Sequence, residues 1–370
     1  MKILYVTTIG GTMTFFKKHI KMLQEKDCSV DLACSTVSPV RKEILELNVK
    51  VHNICFSRNP LASDNFKAYK ELKKIVTEGG YDIVHCHTPN AAAITRFACK
   101  NLRKKGLKVI YTAHGFHFYK GAPLKNWILF YPIEWICAHW TDSLITINKE
   151  DYALAQKHMH AKKIEYIPGV GVDLKKFSLV DEVDKAKRIS IGVPKKARMI
   201  LSVGELNENK NHQVIIKAMS QIKDDSIHYV IAGEGNQKEN LLSLAKNLGI
   251  SDRVHLLGFR NDVAELYGVA DVYALPSIRE GLNVSIMEAM ASELPVICSK
   301  IRGNVDLIDE NGGELYEPLD CEEAKIAIKN VFSKSYDKRK NIGKYNAKKV
   351  YKFSDTVVLR QLKQVYDHII

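Results

Sequence analysis

The chain has 370 residues, 46% of them hydrophobic and 26% charged, which is enough to bury a sizeable core and more than one domain usually holds. No run approaches the roughly 20 consecutive apolar residues that a bilayer-crossing helix needs, and the opening, Met1 to Gly10, reads as a strand entering a glycine turn rather than as a signal sequence. The formal net charge is +13, and residues 1–165 carry 25 Lys and Arg against 14 Asp and Glu, so nearly all of the excess lies in the N-terminal half.

Short apolar runs alternate with helical patterns along that half. The strands read from it are Lys2 to Thr7, Val30 to Cys34, Val49 to Ile54, Ile83 to His87, Lys108 to Ala113, Ser143 to Ile147 and Ile164 to Ile167. Buried strands separated by helices predict a parallel, doubly wound α/β sheet, here over residues 1–170.

Two glycine or histidine turns in this half carry chemistry. Gly10-Gly11-Thr12 follows the opening strand, where glycine lets a backbone approach a phosphate or sugar closely. His114-Gly115-Phe116-His117 follows the strand at Lys108. A zinc reading of His85, His87, His114 and His117 is disfavoured, since neither pair has a Cys or acidic ligand set beside it.

The segment Gly121 to Trp140 holds all three tryptophans and is too polar to span a bilayer. Interfacial insertion and a pair of core helices both suit it. Basic stretches at Lys17 to Lys21, Lys67 to Lys74 and Lys100 to Lys108 suit an anionic membrane surface. No helix-turn-helix, zinc-finger or RNP-type motif accompanies them, so nucleic acid is not expected as a partner. Eight cysteines include no C-x-x-C pair and sit mostly in apolar runs, as buried thiols of a reducing compartment do.

The pattern restarts beyond a polar run near residue 180, with strands at Met199 to Val203, Ile227 to Ala232, Val254 to Leu257, Val272 to Leu275 and Pro295 to Ser299. A second doubly wound domain is therefore predicted over 180–343. A helical segment over 344–370 follows, with apolar residues at helical spacing. Domains of this kind bind ligands in the turns after their strands, at the carboxyl ends of the sheet.

The strongest signal is Pro276-Ser277-Ile278-Arg279-Glu280-Gly281-Leu282-Asn283-Val284-Ser285-Ile286-Met287-Glu288, directly after a strand. It puts a carboxylate on a glycine loop and then opens a helix with a second carboxylate in it. The amides of Leu282, Asn283 and Val284 at the helix start would face an anion with the favourable dipole end. Upstream, Gly204-Glu205-Leu206-Asn207-Glu208-Asn209-Lys210 gives a glycine turn with an ammonium in reach of a diphosphate. Ala232-Gly233-Glu234-Gly235 and Gly258-Phe259-Arg260 are further strand-to-loop turns.

This constellation resembles the signature of family 4 retaining glycosyltransferases, over nearly the whole chain and most closely in the bacterial capsule and exopolysaccharide branch. The resemblance implies the GT-B fold, two Rossmann-like doubly wound domains facing across a cleft. It implies that Glu280 contacts the donor sugar, that Glu288 holds the ribose, and that Leu282 to Val284 take the donor phosphates. Lys210 would meet the diphosphate, His114 the donor sugar or β-phosphate region, and Phe259 and Arg260 would border the base; Gly11, Gly204 and Gly233 would line the donor.

The family pattern has Gly-Arg where this chain has Gly204-Glu205, which removes one cation and leaves Arg279 or Arg302 as substitutes. No D-x-D sequence occurs, so lysine, amides and helix dipole stand where another glycosyltransferase fold uses a metal, and no cofactor is expected. The implied partners are a nucleotide sugar, by family habit UDP-linked, and a polyprenyl diphosphate-linked acceptor, used by a cytoplasmic protein at the inner membrane face. A UDP-sugar 2-epimerase and a non-catalytic nucleotide-sugar-binding assembly protein share these features. A dehydrogenase does not, since neither first strand is followed by G-x-G-x-x-G.

Overall fold

The computed structural model describes every residue except Arg58, Leu61, 179–185 and Ile370, so the expected domain start near residue 180 lies outside the described residues. The chain forms two compact units, Met1–Val170 with Asp355–Ile370, and Gly171–Ser354.

In the first unit, β1 (Lys2–Ile9), β2 (Ser29–Ser35), β3 (Lys50–Asn53), β4 (Ile83–His87), β5 (Lys108–Ala113), β6 (Ser143–Thr146) and β7 (Lys163–Tyr166) form one sheet. Its order is β3-β2-β1-β4-β5-β6-β7, with every pairing parallel. In the second, β8 (Arg198–Val203), β9 (Ile227–Ala232), β10 (Val254–Leu256), β11 (Val272–Leu275), β12 (Val296–Ser299) and β13 (Gly313–Tyr316) form a parallel sheet of order β10-β9-β8-β11-β12-β13. Both sheets reverse direction of winding beside their first strand, between β1 and β4 and between β8 and β11. Such a reversal opens a crevice at the strands' carboxyl ends.

Twelve strands lie within two or three residues of the runs read from sequence, and β13 does not come from such a run. It is four residues long and mostly half-buried, with a glycine where a Cβ would stand 1.8 Å from the Val296 carbonyl oxygen. Close backbone approach, not apolar burial, places it.

The C-terminal segment, expected as one or two helices, forms two that belong to different units. Helix Tyr336–Val350 belongs to the second unit: Asn346 donates to the carbonyls of Leu294 and Gly312, and Gly343 leaves no room for a Cβ against Glu293. Helix Asp355–Ile369 belongs to the first unit, where Val358, Leu362, Val365 and Tyr366 cover the sheet face that carries Ile3, Tyr5, Ile83 and Ile110. Helices Asp64–Gly79 and Pro89–Cys99 supply Ala68, Leu72, Ala91 and Ala98 to the opposite face.

Gly121 to Trp140 contains one helix, Leu124–Ala138, rather than a pair. Its Trp127 and Tyr131 pack on Phe118, while Leu124 and Ile128 are 73% and 69% exposed. Among the described residues no helix is long and apolar enough to cross a membrane.

This helix also buries Glu134, whose Oε2 lies 2.8 Å from Nη2 of the fully buried Arg96, while Tyr111 donates to Oε1 and its ring lies under the guanidinium. Removing one member of a buried ion pair strands the other charge in a low dielectric. Glu134→Ala should therefore lower stability by about 3–5 kcal/mol, read as the urea denaturation midpoint; an unchanged midpoint would mean that water reaches Arg96.

Candidate active site

In the second unit three loops at the carboxyl ends of β8, β9 and β11 converge. The loop after β8 is ordered by Asn207, whose side chain accepts from the Lys210 amide at 2.9 Å and donates to Glu205 at 2.8 Å. Two bonds tie this loop to the one after β11: Ile278 N–H donates to the Asn209 carbonyl, and Asn209 Nδ2 to the Arg279 carbonyl. That alignment brings Lys210 Nζ to 2.6 Å from Glu280 Oε1, with both side chains about 15% exposed.

Gly204 lies beside the lysine stem, since a Cβ there would stand 3.4 Å from Lys210 Cε. A Cβ on Gly233, after β9, would stand 1.8 Å from the Gly204 carbonyl oxygen, so no other residue fits. The structure thus brings Gly204, Lys210, Gly233 and Glu280 together.

Behind Glu280, Gly303 adopts φ +77° and would drive a Cβ to 2.1 Å from the Gly281 oxygen, while buried Arg302 donates Nε to the Glu280 carbonyl. Arg302 therefore supports the loop from below, whereas Arg279 is exposed.

Helix Val284–Ala291 opens with Asn283 as its cap, which accepts from the amides of Ser285 and Ile286. Among the described residues, no backbone hydrogen bond uses the N–H groups of Leu282, Asn283 or Val284. Those amides remain available to an anion at the positive end of the helix. One turn further, Glu288 accepts from Tyr267 at 2.9 Å. Burial pushes its carboxyl up to about 7, against the opposing effect of that hydrogen bond.

Phe259 and Arg260 stand at the edge of this constellation. Gly258 bridges to Gly233, and Phe259 is 61% exposed, as a loop that borders a ligand would leave it. Arg260 is held by Asp262 through two hydrogen bonds, and Asp262 also pairs with Lys187. These partners hold the Asp262 carboxyl well below the usual carboxylate range.

In the first unit the candidates belong to the carboxyl ends of β1, β4 and β5. The turn at Gly10 and Gly11 packs so tightly that a Cβ would meet the Ser38 carbonyl at 2.5 Å from Gly10, or Ser38 Oγ at 2.7 Å from Gly11. It leads into Phe16, stacked on His87 at 4.1 Å and tilted to His114 at 5.9 Å. His114 Nε2 lies 3.2 Å from His87 Nδ1, and burial brings the His114 imidazole down to about 4. His87 was seen in the sequence only as half of an H-x-H pair; its contact with His114 depends on β4 and β5 being neighbours. His117 instead lies tilted against the Phe130 ring, with centroids 4.5 Å apart.

At the β1/β4 reversal Thr88 adopts φ +61°, a costly conformation for a β-branched residue, held by hydrogen bonds from the Thr8 amide and hydroxyl. A pocket of about 260 Å³ opens there, lined by Thr8, Thr12, Thr88, Asn90, His117 and Glu134 among others.

Comparison with known proteins identifies the family. Residues 9–176 match the model of Glycosyltransferase Family 4 and residues 183–349 that of Glycosyl transferases group 1. The chain is 38% identical to the putative glycosyltransferase EpsD of Bacillus subtilis over 99% of its own length and 96% of that protein's. It is 28% identical to the UDP-Gal:alpha-D-GlcNAc-diphosphoundecaprenol alpha-1,3-galactosyltransferase of Escherichia coli, over 87% of the chain and 85% of that enzyme. The crystal structure of HepE from Anabaena in complex with UDP superposes with a TM-score of 0.81 at 19% identity, covering all of both chains.

The raised Glu288 carboxyl gives a pH prediction. Its folded value of about 7 exceeds the ordinary 4.5, so the stability linked to its protonated form is fully present below about 4.5 and is lost as pH climbs through 7. Glu288→Gln keeps an acceptor for Tyr267 and cannot ionise, so it should gain up to about 3 kcal/mol on the wild type between pH 5 and pH 8. Denaturation curves at the two pH values measure this, and parallel pH dependence in both proteins would refute it.

Proposed function

The chain belongs to family 4 of the glycosyltransferases and has the GT-B fold, and from that premise we propose that it is a retaining, metal-independent hexosyl- or N-acetylhexosaminyltransferase using a nucleotide diphosphate sugar, with UDP as the carrier. The acceptor in this reading is a polyprenyl diphosphate-linked saccharide of a cell-surface polysaccharide. The observation that carries it is the 2.6 Å approach of Lys210 to Glu280 beside the open amides of Leu282 to Val284.

A departing nucleoside diphosphate develops negative charge on its β-phosphate, and preorganised donors that cost nothing to reorient lower that barrier. Lys210 would transfer its bond from Glu280 to the phosphate, and the helix-opening amides would share the charge. Glu280, released from the ammonium, would then accept from the sugar hydroxyls. Retention follows if the acceptor hydroxyl attacks from the face the diphosphate leaves, with a β-phosphate oxygen taking its proton and no covalent enzyme intermediate. Glu288 would accept from the ribose hydroxyls, and His114 would donate to the sugar or phosphate side as a neutral imidazole.

The UDP carrier is supported by the UDP complex of HepE and the lipid diphosphate acceptor by the name of the Escherichia coli relative. Association with an anionic membrane surface, at the cytoplasmic face, is supported by the exposed Leu124 and Ile128 and by the positive excess of the first 165 residues.

Lys210→Ala should lower kcat by about 10²–10³-fold, the usual cost of one preorganised charge donor, and Glu280→Gln should lower kcat with the fold intact. Release of nucleoside diphosphate from a panel of nucleotide sugars, with and without membrane lipid extract, measures both. Normal turnover in either variant would remove that residue from the site, and turnover of a UDP-sugar without acceptor would favour epimerisation. Activity should persist in EDTA; its loss, restored by a divalent ion, would overturn metal independence.

Membrane association has its own test. Sedimentation with vesicles of anionic lipid should retain the protein, and Ile128→Asp should release it. Equal binding of the variant would place the contact elsewhere.

A further inference from the structure

The buried histidines of the first unit do more than fill space. The pairings Tyr5 with His85 and His87 with Thr112 put these side chains on the sheet face covered by helices Lys17–Gln24 and Asp355–Ile369. His85 is fully used there: Nδ1 meets Tyr366 Oη at 2.7 Å and Nε2 meets Thr112 Oγ1 at 2.8 Å.

His87 and His19 are not. His87 spends Nδ1 on His114, and its Nε2, like both ring nitrogens of His19, is buried with no partner among the described residues. His87 is 1% exposed and His19 5%. An unpaired buried polar atom costs about 1–3 kcal/mol, and a ligand between the two rings would satisfy His87 Nε2 and one nitrogen of His19.

A cavity of about 10 Å³ lies among these groups, lined by His19, His87, Thr112 and His114 with Phe16, Ile145, Val358 and Leu362. That is roughly the space of one water, and a water needs two to four polar partners to stay in such a place. Burial lowers the imidazoles of His19 and His114 to about 3 and 4, and those of His85 and His87 well below their ordinary value. The cluster is therefore uncharged, and a neutral bridging molecule suits it better than an anion.

We propose that this cavity holds one water bonded to His19 and to His87 Nε2, and that His87 with this water is the positioning device that fixes the tautomer of His114. The water donates to His87 Nε2, which leaves the His87 proton on Nδ1. That proton is donated to His114 Nε2 across the 3.2 Å contact, and the His114 proton then resides on Nδ1. His114 thus presents an N–H donor, not a lone pair, to whatever its outer nitrogen meets. The inference rests on the proposed glycosyl-transfer role of His114 only for its catalytic consequence; the water stands on the cavity and the unpaired nitrogens, and the tautomer follows from the direction in which that water bonds His87.

Two measurements on the intact protein test it. Nitrogen-15 spectra of histidine-labelled enzyme should show His114 wholly in the Nδ1–H form, and a crystal structure should show density for one ordered water within hydrogen-bond reach of His19 and His87. An Nε2–H or mixed His114, or a cavity without that water, overturns the proposal.

Kinetics then read the consequence. His87→Phe should lower kcat about 10–100-fold, as loss of a partner that orients a functional imidazole does, with KM for the donor little changed. His87→Asn, whose amide nitrogen takes the place of Nδ1, should restore much of kcat. If His114→Ala keeps full activity while the spectra and the water are as expected, the catalytic role of His114 fails and the positioning of its ring survives.

Discussion

The ion pair between Lys210 and Glu280 sets the terms for the rest of the second unit. Two side chains about 15% exposed and 2.6 Å apart neutralise each other, and either alone in that place would need another partner. Every nearby feature serves to hold the two loops in register: Asn209 laces them, Asn207 fixes the turn before the lysine, and Gly233 and Gly303 allow the supporting strands' loops to approach within the space of a methyl group. In the proposed reaction a ligand phosphate would take over the carboxylate's place at the ammonium, which is already aimed and partly desolvated. That is a small reorganisation, which is what a preorganised site requires.

The two units solve the burial of polar groups differently. The second keeps charge at the ligand-facing loops, paired and partly wet. The first keeps a chain of neutral rings, because His85 and His87 point into the same layer as Ile3, Ile83 and Ile110, where an imidazolium would be strongly disfavoured. Tyr366 closes that layer from the far end of the chain, through His85 and through Tyr5 at 2.9 Å. The last helix is thus part of the first unit's polar network as well as its apolar core.

Most of the fold was legible in sequence because its strands are buried on both faces and read as short, mostly apolar runs, Met199 to Val203 and Val272 to Leu275 among them. β13 was not, since its place depends on Gly313 meeting the Val296 carbonyl, and a single glycine gives no periodic signal. The place where the last segment divides was hidden for a related reason: Val350 and Val358 fall on one helical spacing, yet Ser354 ends one element before Asp355 starts another. Among candidate residues, Glu280, Lys210 and the amides at Leu282 stood out as a local motif after a strand. Asn209 and Tyr267 did not, and His87 appeared only as half of an H-x-H pair, because each acts through a partner that is distant in sequence and adjacent only once the sheet is formed.

Glu205 stands where the family pattern expected from sequence has an arginine, and it is tied into the turn that carries Lys210. Its carboxylate accepts from Asn207 Nδ2, and the other end of that amide accepts from the Lys210 backbone, so Glu205 buttresses the turn that aims the lysine. Arg302 donates its Nε to the Glu280 carbonyl. An anion beside Glu280 would meet the Lys210 ammonium and the amides of Leu282 to Val284. Amides carry partial charges fixed in direction, so they discriminate by geometry where a second guanidinium would attract at longer range. The Asn283 cap and the Gly281 to Gly303 contact hold Leu282, Asn283 and Val284 in place.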